Sequence, residues 1–259
     1  MKSERIKRIF RNNKLYKEIY ESTTDSHLEI EYDTFGSVIK RYEVYNMSGD
    51  VSNVIENNYI ERNNDGKPVR IVHNFKEYCG DDTLTTIYVY GYNINGNLLY
   101  TGSNNNIDHE YEYDYDNAGK ITSMRSYLNM KNNLSNTVDR VLESITEYSY
   151  YDNGKLKCEF KKPSYNEKYP LITGFPNEVK RYFYDDRCNL IAIRTEYQSI
   201  NTILYERWNY DENGNMDMHS NEYCIDILIY DNFGNPIIVK EIYKNTEEVH
   251  TILYENIYE

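Results

Sequence analysis

The sequence predicts a mainly all-β protein, an antiparallel meander of β-hairpins, and three observations support this prediction. A turn motif, Tyr then Asp or Asn, two variable residues and Gly, recurs along the chain. Aromatic or aliphatic residues stand two places before most of the motif tyrosines, and this period of two is typical of strands. Alanine, the strongest helix former, is confined to Ala118 and Ala192. We expect the hairpins to form a curved, twisted sheet or a partial β-shell or solenoid.

The turn motif occurs nine times in the sequence. Six copies keep both Tyr and Gly, at 32–36, 45–49, 92–96, 115–119, 210–214 and 230–234. In the other three, Arg62 replaces the tyrosine, the Asp of 150–154 is shifted by one position, and Cys188 replaces the glycine. Asp or Asn three residues before Gly favours a type I turn in which a left-handed Gly starts a bulged hairpin. We expect two variations, a two-residue primed turn at Asn153 and Gly154, and a positive φ at Asn189 rather than Cys188.

This motif resembles the Tyr-Asp-x-x-Gly unit of the Rhs or YD-repeat family, over roughly residues 28 to 259. In the large members of that family the repeats wind into a hollow β-shell that encloses a toxin segment. Nine short copies are too few for such a shell, and we expect neither the family's self-cleaving core nor its C-terminal effector. The resemblance therefore implies the β-architecture of a short stand-alone protein more strongly than it implies encapsulation.

Three segments depart from the meander. Between Asn129 and Thr146, apolar residues are spaced for one short inserted amphipathic helix: Leu134, Val138, Val141, Leu142 and Ile145. Residues 161–177 hold three of the five prolines and predict a hinge loop. Residues 1–27 form a basic N-terminal segment, either a helix or a covering strand, ahead of a YD-repeat domain at 28–259.

Composition excludes several classes of protein. The 259 residues carry a formal net charge of -13, which argues against direct nucleic-acid binding because phosphates need clustered Lys and Arg. No apolar run is long enough to span a bilayer, and we see no secretory signal, so we expect a cytoplasmic protein. The four cysteines lie far apart, and the histidines are scattered, so we expect no metal and no cofactor.

The most informative local feature is a run of alternating carboxylates and tyrosines. In a strand, one face would carry the acidic side chains and the other would carry Tyr111, Tyr113 and Tyr115. We call the five carboxylates the acidic strip: Asp108, Glu110, Glu112, Asp114 and Asp116. Like charges on one face must be solvated, because burying each unpaired ion would cost several kcal/mol. The acidic strip is either a device for solubility or a docking face for a basic partner.

The leading hypothesis is a non-enzymatic protein that binds and neutralises a protein partner, and specifically an immunity protein against a bacterial toxin. A basic toxin or nuclease suits an acidic inhibitor, because carboxylates can take the places of substrate phosphates. One alternative is a phage-encoded inhibitor of a nucleic-acid-guided defence nuclease. Another is a carbohydrate-binding module whose exposed tyrosines stack on sugar rings. The sequence leaves the oligomeric state open.

Overall fold

A computed structural model describes residues 2–21, 26–47, 50–77, 83–104, 106–132, 137–165, 176–198 and 202–258. These residues form strands joined by turns, and they contain no helix. None of them therefore forms a helix long and apolar enough to cross a membrane. Of the expected hinge loop, residues 161–163 end a strand and 166–175 lie outside the described residues.

Nineteen strands follow one another within the described parts of the chain. They are β1 (Lys2–Arg11), β2 (Lys14–Glu21), β3 (His27–Tyr32), β4 (Val38–Met47), β5 (Asp50–Arg62), β6 (Pro68–Glu77), β7 (Thr83–Tyr92), β8 (Leu98–Ser103), β9 (Asn106–Tyr115), β10 (Ile121–Asn132), β11 (Thr137–Tyr150), β12 (Leu156–Pro163), β13 (Glu178–Tyr184), β14 (Leu190–Tyr197), β15 (Thr202–Tyr210), β16 (Met216–Ser220), β17 (Cys224–Tyr230), β18 (Pro236–Tyr243) and β19 (Val249–Tyr258).

The strand order corrects the predicted fold class. Each strand pairs with the next one along the chain, and β1 pairs both with β2 (antiparallel) and with β19 (parallel). The hydrogen-bonded order is therefore closed, whereas the sequence predicted an open curved sheet or a partial shell or solenoid. Local hairpin signals do not reveal this closure, because it depends on a ladder between Lys2–Phe10 and His250–Tyr258. Closure leaves β1 and β19 without a free edge, which removes the aggregation hazard of exposed edge strands.

The chain divides into two compact units. Unit 1 contains Met1–Val89, Tyr210–His219 and Tyr223–Glu259, and unit 2 contains Tyr90–Asn209 and Ser220–Glu222. Strands β1–β6 and β17–β19 lie in unit 1, and strands β8–β14 lie in unit 2.

The helix predicted between Asn129 and Thr146 is wrong. Strands β10 and β11 cover the described part of this segment, and Leu134 lies outside the described residues. Ser126 pairs with Ser144 and Tyr127 pairs with Leu142, so Glu143 is an extra residue that forms a β-bulge. Because of the bulge, Val141 and Ser144 lie on the same face of the sheet although they are three residues apart, and both are buried. A bulge in a period-two strand thus produced the spacing of an amphipathic helix.

The predicted bulged hairpins are confirmed wherever the turn is described. At Asp33 the backbone amide donates to the carbonyl of Ser37 (2.9 Å), and the Gly36 amide donates to the carbonyl of Asp33 (3.0 Å). The Asp33 carboxylate also accepts hydrogen bonds from the amides of Phe35 and Ser37, both at 2.9 Å. Equivalent backbone bonds close seven other copies, and the copy at 45–49 lies partly outside the described residues.

Both expected variations on the turn are wrong. Tyr151 takes the Asp position of the shifted copy, and Gly154 has a φ of 85°, so this turn has the same backbone as the others. In the cysteine copy, Cys188 itself has a φ of 65°. The Asp185 carboxylate accepts the amides of Arg187 (2.9 Å) and Asn189 (2.8 Å), as in the glycine copies, so the side-chain bonds fix the turn and Cys188 must adopt the left-handed conformation.

The tyrosine that starts a motif copy often bonds to the preceding turn. Asn93 and Asn97 of one turn each donate a side-chain hydrogen bond to the Tyr115 hydroxyl at 2.8 Å. The Tyr150 hydroxyl donates to the carbonyl of Ile121, just after the turn before it, at 2.9 Å. Where Arg62 replaces the tyrosine, its guanidinium reaches the Asp33 carboxylate of the turn at 32–36, two motif copies earlier, at 2.6 Å. The hydroxyl, and not only the ring, therefore explains the recurrence of tyrosine.

In unit 1, residues 2–11 and 14–21 are the strands β1 and β2, and one face of this hairpin encloses a buried carboxylate. Glu18 is 5% exposed and accepts hydrogen bonds from Arg8 Nε (2.8 Å), the Tyr20 hydroxyl (3.0 Å) and the Tyr32 hydroxyl (2.6 Å). The Arg8 guanidinium also stacks on the Tyr254 ring at 3.7 Å. Burial and the nearby carboxylate raise the pKa of Tyr20 to about 12. Every polar group of this cluster is paired, as a buried ion requires.

Candidate functional site

The acidic strip lies in unit 2, on the part of the sheet formed by the neighbouring strands β9, β10 and β11. Strand β9 pairs with β10 so that Glu112 stands opposite Arg125 and Asp114 stands opposite Ser123. Strand β10 pairs with β11 so that Asn129 stands opposite Arg140. Because alternate residues of a strand share a face, these side chains lie together on one face of the array.

Two arginines bind three of the five carboxylates. Arg125 donates to Glu112 (3.2 Å) and to both oxygens of Asp114 (2.8 and 3.1 Å). Arg140 donates to Glu110 (2.9 Å) and to Glu112 (2.8 Å). The strip is thus an ordered network of alternating charges, not a row of isolated anions.

Neutral groups complete this network. The Tyr127 hydroxyl donates to Glu112 (2.9 Å), Asn129 donates to Glu110 (2.8 Å), and the Ser123 hydroxyl donates to Asp114 (2.5 Å). The Arg140 guanidinium lies 3.5 Å from the centroid of the Tyr127 ring, within the range of a cation–π contact. These contacts fix the orientation of the three carboxylates within the protein.

The two outer members of the strip have different surroundings. Asp108 lies in β9 and accepts a hydrogen bond from the Ser103 hydroxyl at 2.8 Å. Asp116 follows β9 in the turn, where its carboxylate accepts the amides of Ala118 (2.9 Å) and Lys120 (2.8 Å). The structure therefore joins Glu110, Glu112 and Asp114 through shared arginines and places Asp108 and Asp116 at the two ends.

Most of the strip is in contact with solvent. The side chains of Glu112 and Asp114 are 44% and 50% exposed. Hydrogen bonds from Arg140, Tyr127 and Arg125 lower the pKa of Glu112, and those from Arg125 and Ser123 lower the pKa of Asp114. Both groups are therefore ionised near neutral pH. The network of Glu110, Glu112 and Asp114 with the two arginines therefore carries one formal negative charge, and Asp108 and Asp116 add one each at the ends of the strip.

Sequence reasoning missed the two arginines. Arg125 is 13 residues and Arg140 is 28 residues from Glu112, and only the strand register brings them together. The expected helix also concealed Arg140, since a helix would not have aligned it with β10. The alternation of Arg125 and Tyr127 in a segment with a period of two was the sequence signal that could have placed Arg125 on a strand face.

The opposite face of the same strands carries tyrosines, as the sequence predicted. Tyr111 and Tyr113 are half-buried on this face, and their burial raises the pKa of each hydroxyl. Among the residues that the structure describes, no group of three or more His, Cys, Asp or Glu side chains is arranged to hold a metal ion.

Comparisons with known proteins give no family assignment. No protein-family model matches the chain, and no curated protein matches it. Similar solved structures include TcdB2-TccC3 without its hypervariable C-terminal region, at 13% identity and a TM-score of 0.24, covering 87% of this chain and 18% of that one. They also include a porin-like protein from Bacteroides uniformis ATCC 8492, at 11% identity and a TM-score of 0.37, covering 91% of this chain and 89% of that one. The chain thus spans about a fifth of the TcdB2-TccC3 chain, and neither TM-score is high enough to show a shared fold.

Proposed function

We propose that this chain is a non-enzymatic, cytoplasmic binding protein that docks a basic protein partner on the acidic strip, formed by Asp108, Glu110, Glu112, Asp114 and Asp116. The observation that carries the proposal is the exposed carboxylate pair of Glu112 and Asp114, fixed in position by Arg125 and Arg140. Preorganised charges lose little conformational entropy on binding. A net charge of -13 would also accelerate the approach of a basic partner.

The internal arginines define how such a partner would bind. They already offset part of the strip's charge, so relief of repulsion among free carboxylates supplies less binding energy than the sequence suggested. Specificity would come from the spacing of the carboxylates, because a partner must place Lys or Arg where the remaining lone pairs of Glu112 and Asp114 point.

The specific partner that we propose is a basic toxin, and in particular a nuclease, that this chain neutralises as an immunity protein. The turn motifs resemble those of the Rhs or YD-repeat family, whose large members enclose toxins. An acidic surface can occupy a phosphate-binding cleft and exclude the nucleic acid. An inhibitor of a nucleic-acid-guided defence nuclease would use the same chemistry.

The test is a pull-down from the native host at low and at moderate salt, with two matched variants. The strip variant carries Glu112→Lys and Asp114→Lys. The control carries Glu61→Lys and Asp65→Lys, which change the net charge equally at exposed acidic residues of unit 1. We expect the wild type and the control to retain one basic protein, the strip variant to lose at least tenfold in affinity for it, and salt to weaken all binding.

Two outcomes would contradict the proposal. One is recovery of no protein at either salt concentration. The other is equal affinity of the strip variant and the wild type for the retained protein. A milder variant, Glu112→Gln with Asp114→Asn, separates loss of binding from loss of folding if the lysine variant unfolds. Inhibition of the purified partner's nuclease activity would then test the immunity role.

A further inference from the structure

Three arginines lie close together on three neighbouring strands of unit 2. Arg181 of β13 stands directly opposite Arg194 of β14, and Arg194 stands opposite Tyr205 of β15. Arg207 follows two residues after Tyr205, on the same face of β15. We call Arg181, Arg194 and Arg207 the arginine cluster. Like charges directly opposite each other destabilise a sheet, so the pairing of Arg181 with Arg194 requires a compensating contact.

One carboxylate holds the first two guanidinium groups together. Glu196 Oε1 lies 2.5 Å from Arg181 Nη1 and 2.8 Å from Arg194 Nη2. Because both nitrogens contact the same oxygen atom, the two guanidinium groups lie side by side. One carboxylate offsets only one of their two charges, and Arg194 Nε has no hydrogen-bond acceptor among the described residues. The pair therefore keeps positive charge and hydrogen-bond donors that the protein does not use.

The third arginine adds its charge beside the same tyrosine. The guanidinium carbon of Arg194 lies 5.7 Å from the centroid of the Tyr205 ring, and that of Arg207 lies 5.9 Å from it. The side chains of Arg181 and Arg194 are 42% and 35% exposed, and Arg207 is exposed as well. The arginine cluster and Glu196 together carry two formal positive charges, on the surface of a chain whose net charge is -13.

A small residue leaves space beside the arginine cluster. Ala192 precedes Arg194 by two residues on the same face of β14, and the strand register places it between Phe183 of β13 and Arg207 of β15. Its methyl group is much shorter than these three side chains, so the surface is recessed there. Glu196 lies on the other side of Arg194 along β14 and does not fill this space. We call the space above Ala192 the Ala192 recess.

Two aromatic rings border the Ala192 recess. Phe183 stands directly opposite Ala192, and Tyr205 lies diagonally across from it on β15. The two residues are 41% and 42% exposed. Partly exposed rings beside guanidinium groups offer apolar contact to a ligand that also carries negative charge.

The charge of the cluster selects the class of anion. A carboxylate carries one negative charge, whereas a phosphate monoester carries nearly two at neutral pH and has three acceptor oxygens. Two formal positive charges match the phosphate, and the planar guanidinium group forms bidentate hydrogen bonds with it. A long polyanion such as a nucleic acid would be repelled by the net charge of the whole chain.

We propose that the Ala192 recess binds a small phosphate monoester that carries an aromatic group. The phosphate contacts the arginine cluster on the side away from Glu196, and the aromatic group lies against Phe183 and Tyr205. This ligand is independent of the basic partner proposed above, because its contacts lie on β13, β14 and β15, whereas the acidic strip follows β9.

The test is isothermal titration calorimetry on the full chain, with phenyl phosphate as the probe. We expect saturable one-to-one binding, at least tenfold tighter than that of benzoate, which has the ring and a single charge. Inorganic phosphate, which lacks the ring, should also bind more weakly than phenyl phosphate. The affinity for phenyl phosphate should fall when the pH is lowered from about 7 to about 5, because the monoester takes up its second proton near pH ~6.

Three variants and a matched control locate the site. Arg181→Gln and Arg194→Gln should each weaken phenyl phosphate binding at least tenfold. Ala192→Leu keeps every charge but fills the recess, so it should weaken binding at least tenfold as well. Arg70→Gln is the control, since Arg70 of unit 1 is 40% exposed and pairs with Glu61 at 2.6 Å. It removes the same charge and should change the affinity less than twofold.

A second measurement keeps the proposal testable if a variant unfolds. Phenyl phosphate should shift the NMR ring resonances of Phe183 and Tyr205 in the wild type and leave those of Tyr59 in unit 1, which is 64% exposed, unchanged. Absence of saturable binding, wild-type affinity of Ala192→Leu, or equal weakening by Arg70→Gln would overturn the proposal. Equal or tighter binding of benzoate or of inorganic phosphate would overturn it as well.

Discussion

Glu18 in unit 1 and Glu112 in unit 2 have the same chemical partners and opposite surroundings. Glu18 accepts hydrogen bonds from Arg8, Tyr20 and Tyr32, and its side chain is 7% exposed. Glu112 accepts from Arg140, Arg125 and Tyr127 and is 44% exposed. Water screens the second cluster and not the first. The same arginine–tyrosine–carboxylate arrangement is therefore part of the core at one site and faces solvent at the other.

The largest test of this comparison replaces each carboxylate by its neutral amide. Glu18→Gln leaves Arg8, whose side chain is only 18% exposed, without its counter-ion and should destabilise the protein by about 3 kcal/mol. Glu112→Gln should change stability by less than about 1 kcal/mol, because its partners remain solvated. Urea unfolding followed by circular dichroism measures both. Similar losses for the two variants would show that burial does not separate the clusters.

An intermediate test asks whether the two units differ in backbone as well. Gly214 in unit 1 and Gly119 in unit 2 have φ values of 85° and 80°, and a Cβ atom at either position would meet no atom within 4 Å. Gly214→Val and Gly119→Val should each destabilise by about 1–2 kcal/mol through backbone strain alone. Asn at the same positions tolerates positive φ and is the control. If the two valine variants lost unequal amounts of stability, the two units would also differ in the backbone of their turns.

The smallest effect is expected in acid. Hydrogen bonds from Arg140, Tyr127 and Arg125 lower the pKa of Glu112 below 4.5 in the folded protein. Its contribution to stability is therefore present above pH 4.5 and is lost as the pH falls through the lowered value. Because the group is exposed, Glu112→Gln should flatten the fall of the thermal midpoint below pH 4.5 only slightly. High salt should shrink this difference further, and a large salt-resistant difference would contradict solvent screening.

The turns could be predicted from sequence because their chemistry is local. Asp33 and Gly36 are three residues apart, and the side chain and the positive φ that they provide define the hairpin. The parts that could not be predicted depend on distant residues or on one inserted residue. The arginines of the strip lie close to Glu112 only because of the strand register. The bulge at Glu143 interrupts the period of two in β11, so the segment had the residue spacing of a helix although it is a strand.

The acidic strip was predictable as a face and not as a network. Alternation placed Glu110, Glu112 and Asp114 on one side of a strand, as they are in the structure. The sequence did not show that Arg125 and Arg140 pair with these carboxylates, so the expected repulsion among the carboxylates was too large. The two ends of the strip, Asp108 and Asp116, share the face in sequence pattern but bond to Ser103 and to the turn backbone instead.

The parallel ladder between β1 and β19 has a consequence for how the protein is made. Each hairpin can form as soon as its own few dozen residues are available, whereas this ladder joins segments separated by almost the entire sequence. Until His250–Tyr258 has left the ribosome, β1 must keep a row of backbone amides and carbonyls unpaired on one side. Formation of the β1–β19 ladder should therefore limit the folding rate. Until it forms, the unpaired edge of β1 can pair wrongly with strands of other chains.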